Sequence, residues 1–381
     1  MDERKSFIKT MRSWQNGSIT RREFLGRTGL GLAAAVVASN MPGLLTSQAF
    51  AGEKGKIGDR VVLATWPNYH NPENFTAFAE ATGAQVQVNV FGSNEEMLAK
   101  LQAGGSGWDV FVPTNYTIST YVELGLIEPL DLAKLPNFDP ASFEKRFMEQ
   151  GVVNGKVYAV PKDWGTTGFV YDSKKLSGKP SSWKEFWELS QGAASSRVMV
   201  HDYQLTVIGN ALKSFGYSFN SLDPKELADA EKLLLEVKPH LFAINSDYQP
   251  SMRNGDAWMA MCWTGDALQL RRDIPSMQYV LGREGGELWS DFFAIPKSAE
   301  RREAAYAFIN FLLDPQVNKR EVEAHGYPSG DKRVDALLPK AMLDDPIMYP
   351  AAEQLSTLEF GAAATLTSPA RAELMARFKA A

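Results

Sequence analysis

The chain has a single cysteine, Cys262, so it can close no disulfide within itself and carries no Cys-x-x-Cys redox or metal motif. A buried small hydrophobe is the expected role of that residue. Its four histidines, His70, His201, His240 and His325, are scattered and show no metal-ligand spacing. There is no phosphate-binding loop, no dinucleotide fingerprint after a strand and no Gly-x-Ser-x-Gly elbow. These absences remove the common sequence signs of an enzyme and predict a chain without cofactor or metal. Positive charge is also short: the formal net charge is −5, which argues against nucleic acid as a partner. Beyond the N-terminal segment no apolar run is long enough to cross a bilayer, so the mature chain is expected to be soluble, with no membrane insertion.

What is present begins with an address. Basic Arg12, Arg21 and Arg22 precede an apolar run from Leu30 to Ala38, and Ala49-Phe50-Ala51 is a small-x-small cleavage site. Basic, apolar, small is the order of a secretory signal. Thr20-Arg21-Arg22-Glu23-Phe24-Leu25 resembles the twin-arginine export motif, an address read by a receptor. Residues 1–51 are therefore read as a signal peptide, with cleavage near Ala51 and the periplasm as destination.

The rest alternates strand-like and helix-like segments, the pattern of an α/β fold. Arg60 to Thr65 reads as a buried strand, and Pro72 to Ala81 as a helix capped by Asn71. Ala84 to Phe91 alternates as a strand. Ser93, with Glu96 three residues on, opens a second helix. Asp109 to Val112 is a short strand. After Tyr158-Ala159-Val160-Pro161, strands are expected at Phe169–Tyr171 and Val198–Val200. Helices are expected at Trp183–Leu189, Val207–Phe215 and Ala304–Leu313. No long linker or internal repeat divides the chain, as expected for lobes joined by short strand crossovers.

Several tryptophans stand in loop-like places beside acids: Trp66 before Pro67-Asn68-Tyr69, Trp263 before Thr264-Gly265-Asp266, and Trp289 before Ser290-Asp291. Aromatics just past strand ends lie where α/β sheets place ligands. A ring face attracts a cation by about 0.5–2 kcal/mol, and a carboxylate adds a charge-assisted hydrogen bond. Trp with Asp thus points to an amine. A sugar would also stack on Trp, but needs no fixed carboxylate pair. Trp108, Trp183, Trp187 and Trp258 read as packing residues, and Asp266 is alternatively a helix cap.

From about Val61 to Gly361 the chain resembles the spermidine/putrescine-binding proteins of bacterial ABC importers. The landmarks run in the family's order: Trp66-Pro67-Asn68-Tyr69, Ser93-Asn94-Glu95-Glu96-Met97, Val112-Pro113-Thr114-Asn115-Tyr116 and Pro161-Lys162-Asp163-Trp164-Gly165. Ser246-Asp247, Trp263-Thr264-Gly265-Asp266, Trp289-Ser290-Asp291, Ala294-Ile295-Pro296 and Gly326-Tyr327-Pro328 follow. The resemblance implies a two-lobed, type II periplasmic-binding α/β fold with ligand in the cleft. Lobe one is expected at 57–165 plus 291–335 and lobe two at 166–290 plus 336–381. It implies an aromatic box of Trp66, Tyr69, Trp263, Trp289 and Tyr327, an amine anchor at Asp291, and a further carboxylate at Asp266. Thr114, Tyr116 and Ser246 would be hydroxyl contacts.

This chain departs from the family after Val198-Met199-Val200. There the resemblance leads one to expect acids for the distal amines, and the aligned residues are Tyr203 and Thr206. Asn68 likewise replaces an acid of some members, and Gly361 stands where a Gln contact can lie. A ligand with one anchored amine and a more neutral far end is the expectation, or a plain diamine if Asp202 or Asp266 turns inward. The implied partners are a small organic amine and the permease of an ABC importer, with the chain a monomer and no enzyme. A sensor feeding a membrane receptor, or a binder of a non-polyamine, hydroxylated amine, is the alternative.

Overall fold

In a computed structural model the chain is described over residues 57–104 and 106–381. The signal segment 1–51, with Arg21, Arg22, Ala49 and Ala51, lies outside the described residues. No helix among the described residues is long and apolar enough to cross a membrane.

The first elements follow from local chemistry. Strand β1 (Arg60–Thr65) is apolar almost throughout and buried from its second residue, as suits a strand with parallel neighbours on both sides. Helix α1 (Pro72–Thr82) starts where the Asn71 side chain accepts the Glu73 amide and Pro72 presets the first turn. It ends at Gly83, whose φ of 85° a residue with a side chain rarely adopts. Strand β2 (Gln85–Val90) pairs parallel with β1. Helix α2 (Asn94–Gln102) opens on Ser93, whose hydroxyl accepts the Glu96 amide at 3.1 Å. Strand β3 (Val110–Phe111) completes a parallel trio.

Then comes a 14-residue strand, β4 (Ala159–Asp172), of which only Phe169–Tyr171 was expected as strand. Pro161, which lacks an N–H, disguises it. In the structure Pro161 sits where the pairing slips: Asp291 faces Asp163, but Phe292 faces Pro161, leaving Lys162 as an extra residue. A bulge tolerates a missing donor and re-aims the side chains beside it.

The second half repeats the parallel pattern. Helix α3 (Trp183–Gln191) is capped by Ser182. It is followed by β5 (Val198–Val200), α4 (Gln204–Ser214), α5 (Pro224–Val237), β6 (Leu241–Ile244), β7 (Met259–Trp263), α6 (Thr264–Asp273) and β8 (Met277–Val280). The long strand β9 (Gly286–Ala294) returns antiparallel to β4. Helices α7 (Arg302–Leu312) and α8 (Pro315–His325) follow, then β10 (Leu358–Phe360) and α9 (Pro369–Ala380).

The strand order is β2-β1-β3-β9-β4-β7-β5-β6, with β8 on β4 and β10 on β9. Only β9 and β4 run through both halves. One end of their ladder joins β3 through Ala294, and the other joins β7 through Thr167–Tyr171. Each half has its own core. One gathers Met97, Trp108, Phe111 and Tyr121, the other Phe169, Trp183, Phe186 and Trp187. This is a two-lobed α/β fold whose halves share two strands. Trp108, Trp183 and Trp187 are core as expected, Trp258 packs at the margin of the second core, and Cys262 is buried.

Ser93 makes a clean stability test. Ser93→Ala leaves an amide of the first turn of α2 without its acceptor and should lower the unfolding free energy by about 1 kcal/mol. Urea denaturation measures it; an unchanged midpoint would mean that solvent replaces the cap at no cost.

Candidate functional site

A cavity of about 170 Å³ lies where strand ends and loops of the two halves meet. Its wall includes Trp66, Asn68, Tyr69, Thr114, Tyr116, Tyr203, Ser246, Trp263, Asp266, Trp289, Asp291 and Tyr327. Of the residues singled out from sequence, Thr206 alone among the described ones is not part of that wall. It is fully buried behind it, and its hydroxyl donates to Glu287.

Local structure explains each placement. Trp66 directly follows β1; its indole N–H donates to the Val112 carbonyl at 3.1 Å and its ring meets Phe91 edge-on. The turn after it depends on Asn68, whose φ of 54° is a left-handed conformation that Asn tolerates. That turn sends Tyr69 inward. Thr114 and Tyr116 follow β3, and the Asn94 side chain donates to both hydroxyls, at 3.1 and 3.0 Å. Trp263 ends β7 and precedes α6. Its ring packs on His201 with centroids 4.5 Å apart, and its N–H donates to the Tyr203 hydroxyl at 3.3 Å. Asp266 lies in the first turn of α6, where a negative charge is favoured. Its side chain caps no amide there; it accepts from the Tyr327 hydroxyl at 3.4 Å. Ser246 donates to Asp202 at 2.6 Å.

The floor is β9. Side chains alternate along a strand, so Glu287, Trp289 and Asp291 share one face, and all three line the cavity. Across the ladder they face Thr167, Gly165 and Asp163 of β4. Gly165 is required: a Cβ there would fall 2.5 Å from the Trp289 ring.

Five carboxylates line the cavity (Asp202, Asp247, Asp266, Glu287 and Asp291), and no Lys, Arg or His does among the described residues. Behind the wall, Lys162 is fully engaged. Its ammonium is 2.5 Å from Asp163 and 3.6 Å from the centre of the Tyr69 ring. The bulge makes this pairing of sequence neighbours possible. Tyr69 donates its one hydroxyl proton towards two acids, Asp163 at 2.5 Å and Asp291 at 2.9 Å. The other oxygen of Asp291, Oδ1, is buried with no partner, as is the Trp289 indole nitrogen. Groups left so in a native interior call for an explanation.

Burial raises the Asp291 pKa to about 7, and the neighbouring Asp163 carboxylate pushes the same way. Burial also raises Glu287 to about 7, against the Thr167 and Thr206 hydroxyls that steady its ionised form. Asp266 is raised for the same reason. Burial keeps His201 neutral, lowering it to about 3. No group of His, Cys, Asp and Glu suited to a metal ion occurs among the described residues. The arrangement suits a small body with apolar sides and positive ends.

Sequence reasoning missed Glu287, Asn94, Asn245, Asp247 and Gln249 as wall residues. For Glu287 a signal existed, since Glu287-x-Trp289-x-Asp291 places it by simple alternation on the face of two residues already chosen. The others sit in loops or at helix starts, where no periodicity reports direction.

The family model described as bacterial extracellular solute-binding protein matches residues 73–350. The putrescine-binding periplasmic protein SpuD of Pseudomonas aeruginosa is 30% identical over 351 residues, covering 87% of this chain and 92% of that protein. The spermidine/putrescine-binding periplasmic protein of Salmonella typhimurium is 33% identical over 309 residues, covering 79% and 86%. The solved structure of the spermidine/putrescine ABC transporter substrate-binding protein PotD of Streptococcus pneumoniae superposes with a TM-score of 0.70 at 31% identity. It covers 85% of this chain and 99% of that one.

The raised acids give stability a pH dependence with a definite sign. Their folded pKa values, about 7, exceed the unfolded ones near 4, so between those limits the folded chain holds more protons. The unfolding free energy of the ligand-free protein should therefore fall as pH rises from about 4 to about 7, and level off above. Urea unfolding at pH 5 and 8 tests this. The Asp291→Asn, Glu287→Gln double variant should show a shallower dependence, and equal slopes would contradict the assignment.

Proposed function

The chain belongs to the bacterial extracellular solute-binding proteins, and from that premise we propose that it captures a small organic amine of the putrescine/spermidine kind and delivers it to an ABC importer. One observation carries the reading: a wall of carboxylates, two of them (Glu287 and Asp291) buried, and aromatic rings with no basic residue in it among the described residues, in which an Asp291 oxygen has no hydrogen-bond partner. An ammonium supplies what is missing. It pairs with Asp291, while the rings of Trp66, Trp263, Trp289, Tyr69 and Tyr327 bound the carbon chain. A buried lone carboxylate is costly and protonates instead. With a cation beside it the ionised form is restored, so the site selects for positive charge and against neutral sugars.

In this reading the site is Trp66, Asn68, Tyr69, Thr114, Tyr116, Tyr203, Ser246, Trp263, Asp266, Trp289, Asp291 and Tyr327, with Thr206 in a supporting position. Lobe one comprises 57–165 plus 291–335 and lobe two 166–290 plus 336–381, joined through β4 and β9. The chain acts by binding, as a monomer without cofactor or catalytic step. Closure of one lobe on the other presents a surface to the permease. The twin-arginine pair Arg21-Arg22 directs export to the periplasm, and the signal is removed near Ala51. The names of the two curated relatives, binders of putrescine and of spermidine/putrescine, support this assignment.

Titration calorimetry of the exported form should give heats with putrescine and none with glucose. Asp291→Asn should weaken putrescine about 10- to 100-fold, the usual worth of a hydrogen bond to charge, while leaving the fold intact by circular dichroism. Undiminished affinity in that variant would mean that the anchor lies elsewhere.

A further inference from the structure

We infer that Glu287 is a second, distal ammonium anchor, and that Asp291 and Glu287 together make the site a ruler for short linear diamines. The inference rests on the amine reading above and assigns a role to a residue that sequence reasoning passed over. Glu287 is 2% exposed, so what reaches its carboxylate does so through the cavity that it lines. Two hydroxyls, Thr167 at 2.6 Å and Thr206 at 3.1 Å, both donate to one of its oxygens, Oε2. That fixes the carboxylate and leaves Oε1 as its free acceptor. No cation is paired with it among the described residues. A held, half-satisfied carboxylate in the wall of a cavity is poised for an incoming donor, and an ammonium is the donor that such an acid prefers.

The position explains an apparent loss. Resemblance led one to expect acids at Tyr203 and Thr206 for a far amine, and neither is acidic. In the structure Thr206 reaches across from α4 and supports an acid that arrives from β9 instead. The negative charge is kept at this end of the cavity and moved to another element. Asp202 and Asp266 also line the cavity, but each already has a hydroxyl donor, Ser246 for Asp202 and Tyr327 for Asp266, and Asp202 is partly exposed. A charge at the water's edge contributes less than a buried one.

The spacing sets the length. Glu287 and Asp291 are four residues apart on one face of β9, with no bulge between them, which separates them by about 13–14 Å along the strand. Subtracting a charge-assisted hydrogen bond of about 2.8 Å at each end leaves roughly 8 Å between two nitrogens. That is about the reach of an extended five-carbon diamine and somewhat beyond that of a four-carbon one, with Trp289 under its middle. The cavity, about 170 Å³, agrees. It is close to the roughly 150 Å³ that holds a benzene-sized molecule.

Calorimetry with butylamine, putrescine and cadaverine decides the matter, using the exported chain, Glu287→Gln and Glu287→Asp. Wild type should prefer the diamines to butylamine. Glu287→Gln should weaken both diamines about 10- to 100-fold and leave butylamine unchanged, so that the preference collapses. Glu287→Asp keeps the charge but withdraws it by one methylene, and should cost putrescine more affinity than cadaverine. Equal weakening of monoamine and diamine, or an unchanged diamine affinity, would overturn the role of Glu287 while sparing the amine reading. A wild-type protein that binds none of the three would overturn both.

Discussion

Tyr69 has one hydroxyl proton and two carboxylates within its reach, Asp163 and Asp291. Much else in the protein follows from how that shortage is met. Asp163 is compensated from behind by Lys162, held in place by the strand bulge. Asp291 shares the phenol and has the Thr114 hydroxyl beside it, but no ammonium of its own, and its Oδ1 is left without a full hydrogen bond. Taking a charge out of water is costly unless an opposite charge and hydrogen bonds replace the water. The protein has arranged that replacement for one acid and withheld it from the other. The withheld one faces the cavity.

The framework serves this arrangement. Buried positions for acids exist on β9 because it pairs along one edge with β4, and loops from both halves lie over the face that carries Glu287, Trp289 and Asp291. The aromatic residues do two jobs. They exclude water, which strengthens any charge interaction inside, and they brace one another. Tyr69, His325, Tyr327 and Trp289 form one run of ring contacts. Tyr203, His201, Tyr248 and Trp263 form another. His201, kept neutral by burial, acts as a flat spacer behind Trp263.

Much of this was legible in the sequence because the signals were local. A ring directly after a strand, a Ser or Asn before a helix and a β-branched run each carry their own physical cause. The residues round the cavity were recognisable for that reason, although nothing local says that they meet. What stayed hidden depended on pairing. Pro161 hid the first part of β4, because its missing N–H is harmless only at a bulge, and the bulge exists only once β9 is in place. Lys162 and Asp163 should face opposite ways in a regular strand, so their union behind Tyr69 could not be read from their adjacency. Glu287 was overlooked because the acids of the far end were sought on the helix at Tyr203 and Thr206, where the resemblance put them. Thr206 is not a wall residue but the support of the acid that is.

Gly165 never touches the cavity, yet the shape of the cavity is written there. The absence of a side chain at that point lets the indole of Trp289 sink against β4, and the depth to which it sinks fixes the headroom above it. Adding even one methyl group would lift the plate. The lineage of such a protein can thus trade one cargo for a slimmer one by an edit beneath the floorboards, leaving every residue that greets the guest as it was.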